Sequence, residues 1–162
     1  MRIVRPLVAL ALALGALGAS SAPAPQPLPA GLMNQRFESV RGPATNLRHY
    51  VGRPIVLNIW ATWCPPCQEE LPLLESAQLA HRNITIVGVD QGEARAHVAA
   101  FLARVEVTYP ILLDRSEVYG AAAGFAFPTT VFLDASGRIK GVHRGALDAA
   151  SLRSGIAAIT AR

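Results

Sequence analysis

A pair of cysteines separated by two prolines constrains the fold of this chain more than any other feature. The pair lies in residues 60–67, which read WATWCPPC. The run 55–60 is almost wholly apolar and rich in β-branched residues, which predicts a central strand covered on both faces. Residues 66–80 repeat apolar side chains at helical spacing. The two cysteines are therefore expected at a strand-to-helix turn, close enough to form a small disulfide.

The rest of the chain alternates strands and helices. Further strands are predicted at 37–40, 84–89, 111–113, 129–133 and 138–143, the last two forming a hairpin around a tight turn. Helices are predicted at 66–80, with a kink at Pro72, at 93–105, at 116–122 and after the capping residue Asp148. This order predicts an α/β fold, in which a mixed central sheet carries helices on both faces.

The first 22 residues have the three regions of a secretory signal peptide. Arg2 and Arg5 give a cationic start, residues 7–18 are almost purely apolar, and 19–22 are small residues suited to cleavage. If the segment is not cleaved, residues 7–22 are expected to anchor the protein in a membrane. The prolines that alternate after it predict a semi-rigid linker over 23–35, followed by one domain over 36–162. The protein is therefore expected to be periplasmic or otherwise exported, where disulfides persist.

The charge of the chain excludes a nucleic-acid-binding protein. Lys and Arg number 15 against 11 Asp and Glu, and removal of residues 1–22 lowers the net charge from +4 to +2. Charged residues make up only 16% of the chain, and no basic cluster remains. Two cysteines cannot form a four-cysteine zinc site, and the four histidines are scattered. We therefore expect neither a resident metal nor a cofactor.

The position of Cys64 favours thiol chemistry. Unpaired N–H groups and the dipole at a helix N-terminus stabilise an anion, so the pKa of Cys64 should fall below the free value of about 8.5. Cys64 is thus predicted to be the attacking nucleophile. Cys67, one turn further into the helix and nearer the core, is predicted to be the resolving thiol. Pro65 and Pro66 stiffen the loop and lack N–H groups, which limits how many donors reach the Cys64 sulfur.

Three other interpretations of the cysteine pair stay open on the residues alone. A purely structural disulfide is disfavoured, because a loop this short removes little entropy from the unfolded chain. The two thiols are also suitable soft ligands for a copper-handling binding module. A peroxidase is disfavoured because Ala61 stands three residues before the reactive cysteine, where a Thr or Ser is expected to bind peroxide.

Trp-Cys-Pro-Pro-Cys at this turn, followed by Phe-Pro-Thr-Thr at 127–130, resembles the TlpA/ResA type of thioredoxin-like protein, which includes the cytochrome c maturation thioredoxins. The resemblance covers residues 37–162. It implies a thioredoxin-like fold with an N-terminal strand extension and a helix–strand insert at 93–114. It also implies a thiol:disulfide oxidoreductase that reduces client proteins, such as apocytochrome c or proteins with copper-site cysteines, with electrons from a membrane thiol donor.

The same resemblance implies a substrate-binding surface around the cysteines. Pro128 is expected in the cis form beside the disulfide, which turns the backbone so that main-chain groups of Phe127 face an extended substrate peptide. Trp63, Pro65 and Pro66 are expected at the rim of this surface.

Glu70 is the third candidate catalytic residue. It follows Cys67 by three positions, so both side chains lie on one helix face. Partial burial and a neighbouring thiolate should raise the pKa of Glu70, and the resemblance implies that its carboxyl exchanges a proton with the buried thiol. Asn58, six positions before Cys64, stands where thioredoxin has a buried aspartate, and an amide cannot exchange a proton at neutral pH. A solvated helix glutamate, as expected for Glu69, is the alternative for Glu70.

Overall fold

The computed structural model describes residues 28–161. This part of the chain contains six strands: β1 (Glu38–Ser39), β2 (Ile55–Trp60), β3 (Thr85–Gln91), β4 (Ile111–Asp114), β5 (Thr129–Leu133) and β6 (Ile139–Arg144). It also contains five α-helices: α1 (Ala30–Asn34), α2 (Pro65–Ala80), α3 (Arg95–Leu102), α4 (Val118–Ala122) and α5 (Ala149–Thr160). A short 3-10 helix spans Leu47–Tyr50.

The six strands form one sheet in the order β1-β4-β3-β2-β5-β6. Strands β2, β3 and β4 run parallel, whereas β1, β5 and β6 pair antiparallel with their neighbours. The mixed sheet predicted from the sequence is confirmed. Strand β2, which leads into the cysteine pair, lies in the interior of the sheet and is bonded on both sides, so it forms a rigid base for the turn that follows.

Side chains of β2 alternate between two cores, one on each face of the sheet. Val56 and Trp60 pack with residues of α2, α3 and α5, whereas Ile55, Leu57 and Ile59 pack with residues of α1 and α4. All six residues of β2 are buried. This explains why the strand is a continuous apolar run, and it confirms helices on both faces.

The folded domain begins earlier than the predicted boundary at residue 36. Helix α1 forms within the stretch predicted as a linker, and its Met33 is buried together with Leu28. Both side chains pack into the core on the α4 face of the sheet. The physical reason is that the prolines end at Pro29, after which the chain is free to turn and bury its apolar residues.

The predicted signal peptide, residues 1–22, lies outside the described residues. Its cleavage, and its alternative role as an anchor, therefore stay predictions. Within residues 28–161, no helix has the length and apolar character needed to cross a membrane.

Helix α3 is shorter than the predicted span 93–105. It begins at Arg95, because the backbone of the N-cap residue Ala94 is extended, and the carboxylate of Glu93 just before it binds Thr62. It ends at Leu102, and the loop that follows is held by Glu75 of α2, whose carboxylate accepts from the N–H and hydroxyl of Thr108 at 2.7 and 2.6 Å. Both limits arise from contacts between distant parts of the chain.

Helix α5 packs closely on the sheet at Gly155. A Cβ at this position would lie 2.2 Å from ring atoms of Phe132 on β5. Gly155→Ala is therefore expected to lower the free energy of unfolding by about 1–3 kcal/mol, although alanine is the better helix former by about 1 kcal/mol. Urea unfolding followed by circular dichroism measures the change. Ser154→Ala, at an exposed position of the same helix, is the control, and a Gly155→Ala protein as stable as wild type would contradict the packing.

Candidate active site

Cys64 and Cys67 form a disulfide at the start of α2, as their spacing predicts. Cys64 is the N-cap residue of the helix, with an extended backbone, and the Cα atoms of the pair are 5.3 Å apart. Both cysteines are buried, but Cys64 keeps 5% of its surface exposed and lines a surface pocket, whereas Cys67 keeps none. The outer and inner positions therefore match the prediction.

The two prolines occupy the first two positions of α2 and have no N–H to offer. The next two N–H groups, those of Cys67 and Gln68, both donate to the carbonyl oxygen of Cys64, at 3.1 and 3.2 Å. None of these four positions leaves an N–H free for the Cys64 sulfur. The positive end of the dipole of this 16-residue helix still lies at Cys64 and favours an anion there.

The loop before β5 lies beside the disulfide. Its Phe127–Pro128 peptide bond is cis, as the resemblance implies, and the ring of Phe127 meets that of Trp63 edge-on with 5.8 Å between centroids. A cavity of about 460 Å³ opens here, lined by Trp63, Cys64, Pro65, Pro66, Glu117, Phe125 and Phe127. Four of the five predicted substrate contacts thus surround one pocket. Pro128 does not line it; it is buried behind Phe127, and its carbonyl accepts the N–H of Gly145 at 2.9 Å.

Glu70 is buried one turn after Cys67, with 2% of its surface exposed. Its Oε1 accepts a hydrogen bond from Asn58 Nδ2 at 2.6 Å, and its Oε2 accepts from the N–H of Leu147 at 2.9 Å. Burial raises the pKa of Glu70, and the two hydrogen bonds and the charge of His143 oppose this only in part. The alternative of a solvated helix glutamate is wrong for this residue.

Asn58 connects Glu70 to the sheet. It is fully buried on β2, and its Nδ2 also donates to Thr130 Oγ1 at 3.3 Å on the neighbouring strand. Residues 58 and 130 are paired in register across β2 and β5. An aspartate at position 58 would place a second carboxyl against Glu70, which is costly in a buried site. The amide instead donates a hydrogen bond and holds the carboxyl in one orientation.

A second carboxylate, not found by the sequence analysis, holds the loop before Cys64. Glu93 accepts from the N–H of Thr62 at 2.6 Å and from its hydroxyl at 2.5 Å. Nε2 of His97 lies 2.9 Å from the same hydroxyl oxygen, and Gln68 donates to the Thr62 carbonyl at 2.6 Å. Every polar group of Thr62 is thus bound, which fixes the backbone two residues before the outer cysteine.

Phe125 and Glu117 also line the pocket and were not predicted. Phe125 is exposed over 57% of its surface. Its position two residues before Phe127, in the same loop, could have indicated that it lies in the pocket. No pattern in the sequence around Glu117 indicates that it lies in the pocket, because the turn between β4 and α4 brings it there.

Asp90 is a buried acid that has no part in the thiol chemistry predicted for Cys64 and Cys67. It is fully buried on β3, in register with Trp60 and close to the carboxyl of Glu93. Burial raises the pKa of Asp90 to about 9, and the neighbouring carboxyl of Glu93, followed by the charge of Asp114, adds to the effect. Asp90 is therefore protonated in the folded protein at pH 7, whereas the unfolded chain ionises it near pH 4.

This difference makes Asp90 a source of pH-dependent stability. Between about pH 4 and pH 9 the folded state binds one more proton than the unfolded state, so stability is complete at low pH and falls as the pH rises. Asp90→Asn is expected to reduce this fall between pH 5 and pH 8, by up to about 4 kcal/mol. Glu70, whose pKa shifts in the same direction, leaves a residual slope. Urea unfolding at both pH values measures the effect, and equal slopes in variant and wild type would contradict it.

Comparison with known proteins identifies the family. The Redoxin family matches residues 24–157. The thioredoxin-like protein YneN of Bacillus subtilis is 32% identical over 115 residues, which cover 68% of each chain. The thiol-disulfide oxidoreductase ResA of Geobacillus thermodenitrificans is 31% identical over 114 residues, which cover 68% of this chain and 66% of that protein.

Solved structures share the fold as well. DsbF of Mycobacterium tuberculosis superposes with a TM-score of 0.71 at 27% identity, covering 80% of this chain and 98% of that one. A thiol:disulfide interchange protein of the thioredoxin family from Chlorobium tepidum superposes with a TM-score of 0.68 at 27% identity, covering 87% and 99%. The expected thioredoxin-like fold is confirmed. The chain belongs to the Redoxin family, and it is a thiol:disulfide oxidoreductase of the ResA type with Cys64 and Cys67 as its cysteine pair.

Proposed function

We propose that this protein is exported and reduces disulfides of client proteins through Cys64 and Cys67. The observation that carries the proposal is the unequal position of the two cysteines at the start of α2, of which only Cys64 lines a surface pocket. Cys64 lines an open pocket, whereas Cys67 is fully buried in the core. A client disulfide therefore meets Cys64 first, and Cys67 acts only from within.

In the first step, the Cys64 thiolate attacks one sulfur of the client disulfide. A bond forms between Cys64 and the client, the client S–S bond breaks, and the second client sulfur leaves as a thiolate. The dipole of α2 favours the thiolate of Cys64 before attack. The main chain of Phe127, before the cis proline, aligns the client segment beside the sulfur.

In the second step, Cys67 resolves the mixed disulfide. Its thiol proton passes to the Glu70 carboxylate, and the resulting thiolate attacks Cys64 Sγ. The bond between Cys64 and the client breaks, the client leaves as a thiolate, and the Cys64–Cys67 disulfide forms again. Two electrons have then moved to the client. Burial raises the pKa of Glu70 towards that of a thiol, which makes this proton transfer less unfavourable.

The clients that we propose are exported proteins whose cysteines must be reduced before they bind haem or copper. The resemblance to the cytochrome c maturation thioredoxins supports this choice, and it supports a membrane thiol donor that returns the two electrons. The signal-like residues 1–22 support a periplasmic or otherwise exported location. Disulfides form readily in such compartments, so a dedicated reductant is needed there.

The reduction potential tests the direction of exchange. Equilibration with glutathione redox buffers can be followed by tryptophan fluorescence, because Trp63 directly precedes Cys64. For a reductase we expect a potential between about −200 and −270 mV, the range of glutaredoxins and thioredoxin. A value near −120 mV, that of a strong oxidant, would contradict the reducing direction.

A paired titration separates the reductase from a copper-handling module. The reduced protein is assayed for disulfide exchange with a model protein and, in parallel, titrated with Cu(I). We expect rapid exchange, with the outer thiol reacting first. Tight binding of Cu(I) by both thiols in a protein that shows no exchange would contradict the proposed function.

A further inference from the structure

Two pocket residues, Glu117 and Phe125, take no part in the exchange chemistry. Within residues 28–161 they are the only residues other than glycine with a positive φ, 52° in each case. A left-handed backbone at such residues costs about 1 kcal/mol or more and is concentrated at functional sites. Both of these unfavourable conformations border the same cavity beside the disulfide. That both unfavourable conformations shape one cavity indicates that the cavity has a function in binding.

The backbone of Phe125 is anchored, and its ring is exposed beside Gly120. Its N–H donates to the carbonyl of Gly120 at 2.7 Å, and a Cβ on Gly120 would lie 3.3 Å from the ring. The N–H of Gly120 in turn donates to Gln91 Oε1 on β3 at 2.7 Å. The backbone that carries the ring is thus tied to the sheet, and the ring is open to solvent over 57% of its surface. An exposed aromatic side chain is suited to binding an apolar group.

Trp63 provides a second exposed ring in the same pocket. It is exposed over 62% of its surface, and its ring contacts that of Phe127 edge-on. The large exposed apolar residues of the described chain are Val51, Trp63, Leu79, Phe125 and Val142. Two of these five line the pocket, which Cys64 also lines. An apolar residue next to a client cysteine is therefore well placed to be buried here.

Glu117 provides the charged group of the pocket. Its side chain lies against Gly92, where a Cβ would approach Oε1 to 2.9 Å. Among residues 28–161, the carboxylate of Glu117 forms no ion pair, and no Lys or Arg lines the cavity. The net charge is positive with or without residues 1–22, +4 or +2, whereas the carboxylate beside the disulfide is negative and unpaired among the described residues. It is complementary to a cation on a client.

We propose that this pocket selects clients whose reactive cysteine is flanked by an apolar residue and by a lysine or arginine. The apolar side chain packs against Trp63 and Phe125, and the cation pairs with Glu117. The inference rests on the proposed function, because recognition requires that Cys64 attacks the client.

The test uses short peptides with one cysteine carried as a 2-thiopyridyl disulfide. Attack by the Cys64 thiolate on the peptide sulfur forms the enzyme–peptide disulfide, breaks the bond to the pyridyl sulfur and expels pyridine-2-thiolate. This takes a proton from water to give thiopyridone, which carries no charge and has its own absorbance. Flanking residues are Leu or Gly on one side and Lys, Gln or Glu on the other. Stopped-flow rates with the reduced wild-type protein are expected in the order Lys, Gln, Glu, with about two- to fivefold between Lys and Gln at low salt. Leu is expected to react about tenfold faster than Gly.

Variants assign each preference to its residue. Glu117→Gln should remove the preference for Lys, and Glu117→Lys should reverse it in favour of Glu. Phe125→Ala should reduce the advantage of Leu over Gly to about threefold or less. Glu106→Gln removes the same charge at an exposed position outside the pocket and should leave all preferences unchanged.

The outcomes separate recognition from exchange. Fast reaction of every peptide at one rate, or preferences that persist in the Glu117 and Phe125 variants, would overturn the selection and leave the exchange reaction intact. Reaction of all peptides no faster than with free glutathione would overturn the proposed function itself, and with it this inference.

Discussion

Replacement of Cys67 by alanine is expected to abolish turnover and to leave clients covalently bound to Cys64. The inner thiol is the group that breaks the mixed disulfide, and well-oriented intramolecular groups act at effective molarities of about 10⁵ M or more. External thiol at millimolar concentration cannot replace it, so turnover should fall by at least about 10³-fold. Acid quenching, alkylation and non-reducing electrophoresis, followed by mass spectrometry of the bound proteins, detect the adducts and identify the clients.

Cys64→Ala is the matched control for this experiment. It retains one thiol of the pair, but Cys67 has no exposed surface, so neither turnover nor adducts are expected. Adducts formed by Cys64→Ala and absent from Cys67→Ala would reverse the two roles. Adducts with neither variant would contradict thiol exchange with proteins.

Replacement of Glu70 by glutamine is expected to slow the resolving step and to spare the first attack. The variant keeps the shape of the side chain but cannot accept the Cys67 proton, and loss of a general base costs about 10²-fold or more. The wild-type resolving rate should fall as the pH drops through the raised pKa of Glu70, because the base must be ionised. This limb of the pH profile should vanish in Glu70→Gln. Stopped-flow measurement of adduct formation and decay separates the two steps.

Glu69→Gln is the control for Glu70, because it makes the same change at the adjacent, exposed position of α2. It should leave both steps and the pH profile unchanged. Glu70→Asp should restore part of the resolving rate, since a carboxyl is again present. If Glu70→Gln resolves as fast as wild type across the pH range, the hydrogen bonds to Asn58 and Leu147 are structural and no proton passes through this carboxyl.

The parts of the structure that the sequence predicted are those encoded by neighbouring residues. The apolar run of β2, the helical spacing after it and the Cys-Pro-Pro-Cys stretch together place the disulfide at the start of α2. Glu70 was found for the same reason, because it shares a helix face with Cys67. Helix α1 was missed because the prolines before it indicated an extended chain, and only burial of Met33 against the sheet makes the helix stable.

The residues that were missed act across long separations in the chain. Glu93 binds Thr62 from 31 positions away, and no local pattern links the two. Glu117 reaches the pocket of Cys64 through the turn that leads into α4. The orientation of Glu70 by Asn58 likewise depends on the packing of α2 over β2. Such contacts become visible only when the sheet brings the strand ends together.

The ionisation of Cys64 in the reduced protein is the most direct test of the central claim, that the start of α2 holds one sulfur ready as an anion. Thiolate absorbance near 240 nm, together with the pH dependence of alkylation, measures it in wild type and in Cys67→Ala. We predict a pKa clearly below the free value of about 8.5 and alkylation at neutral pH faster than that of glutathione. A Cys64 that ionises at or above the free value and alkylates no faster than glutathione would contradict the claim.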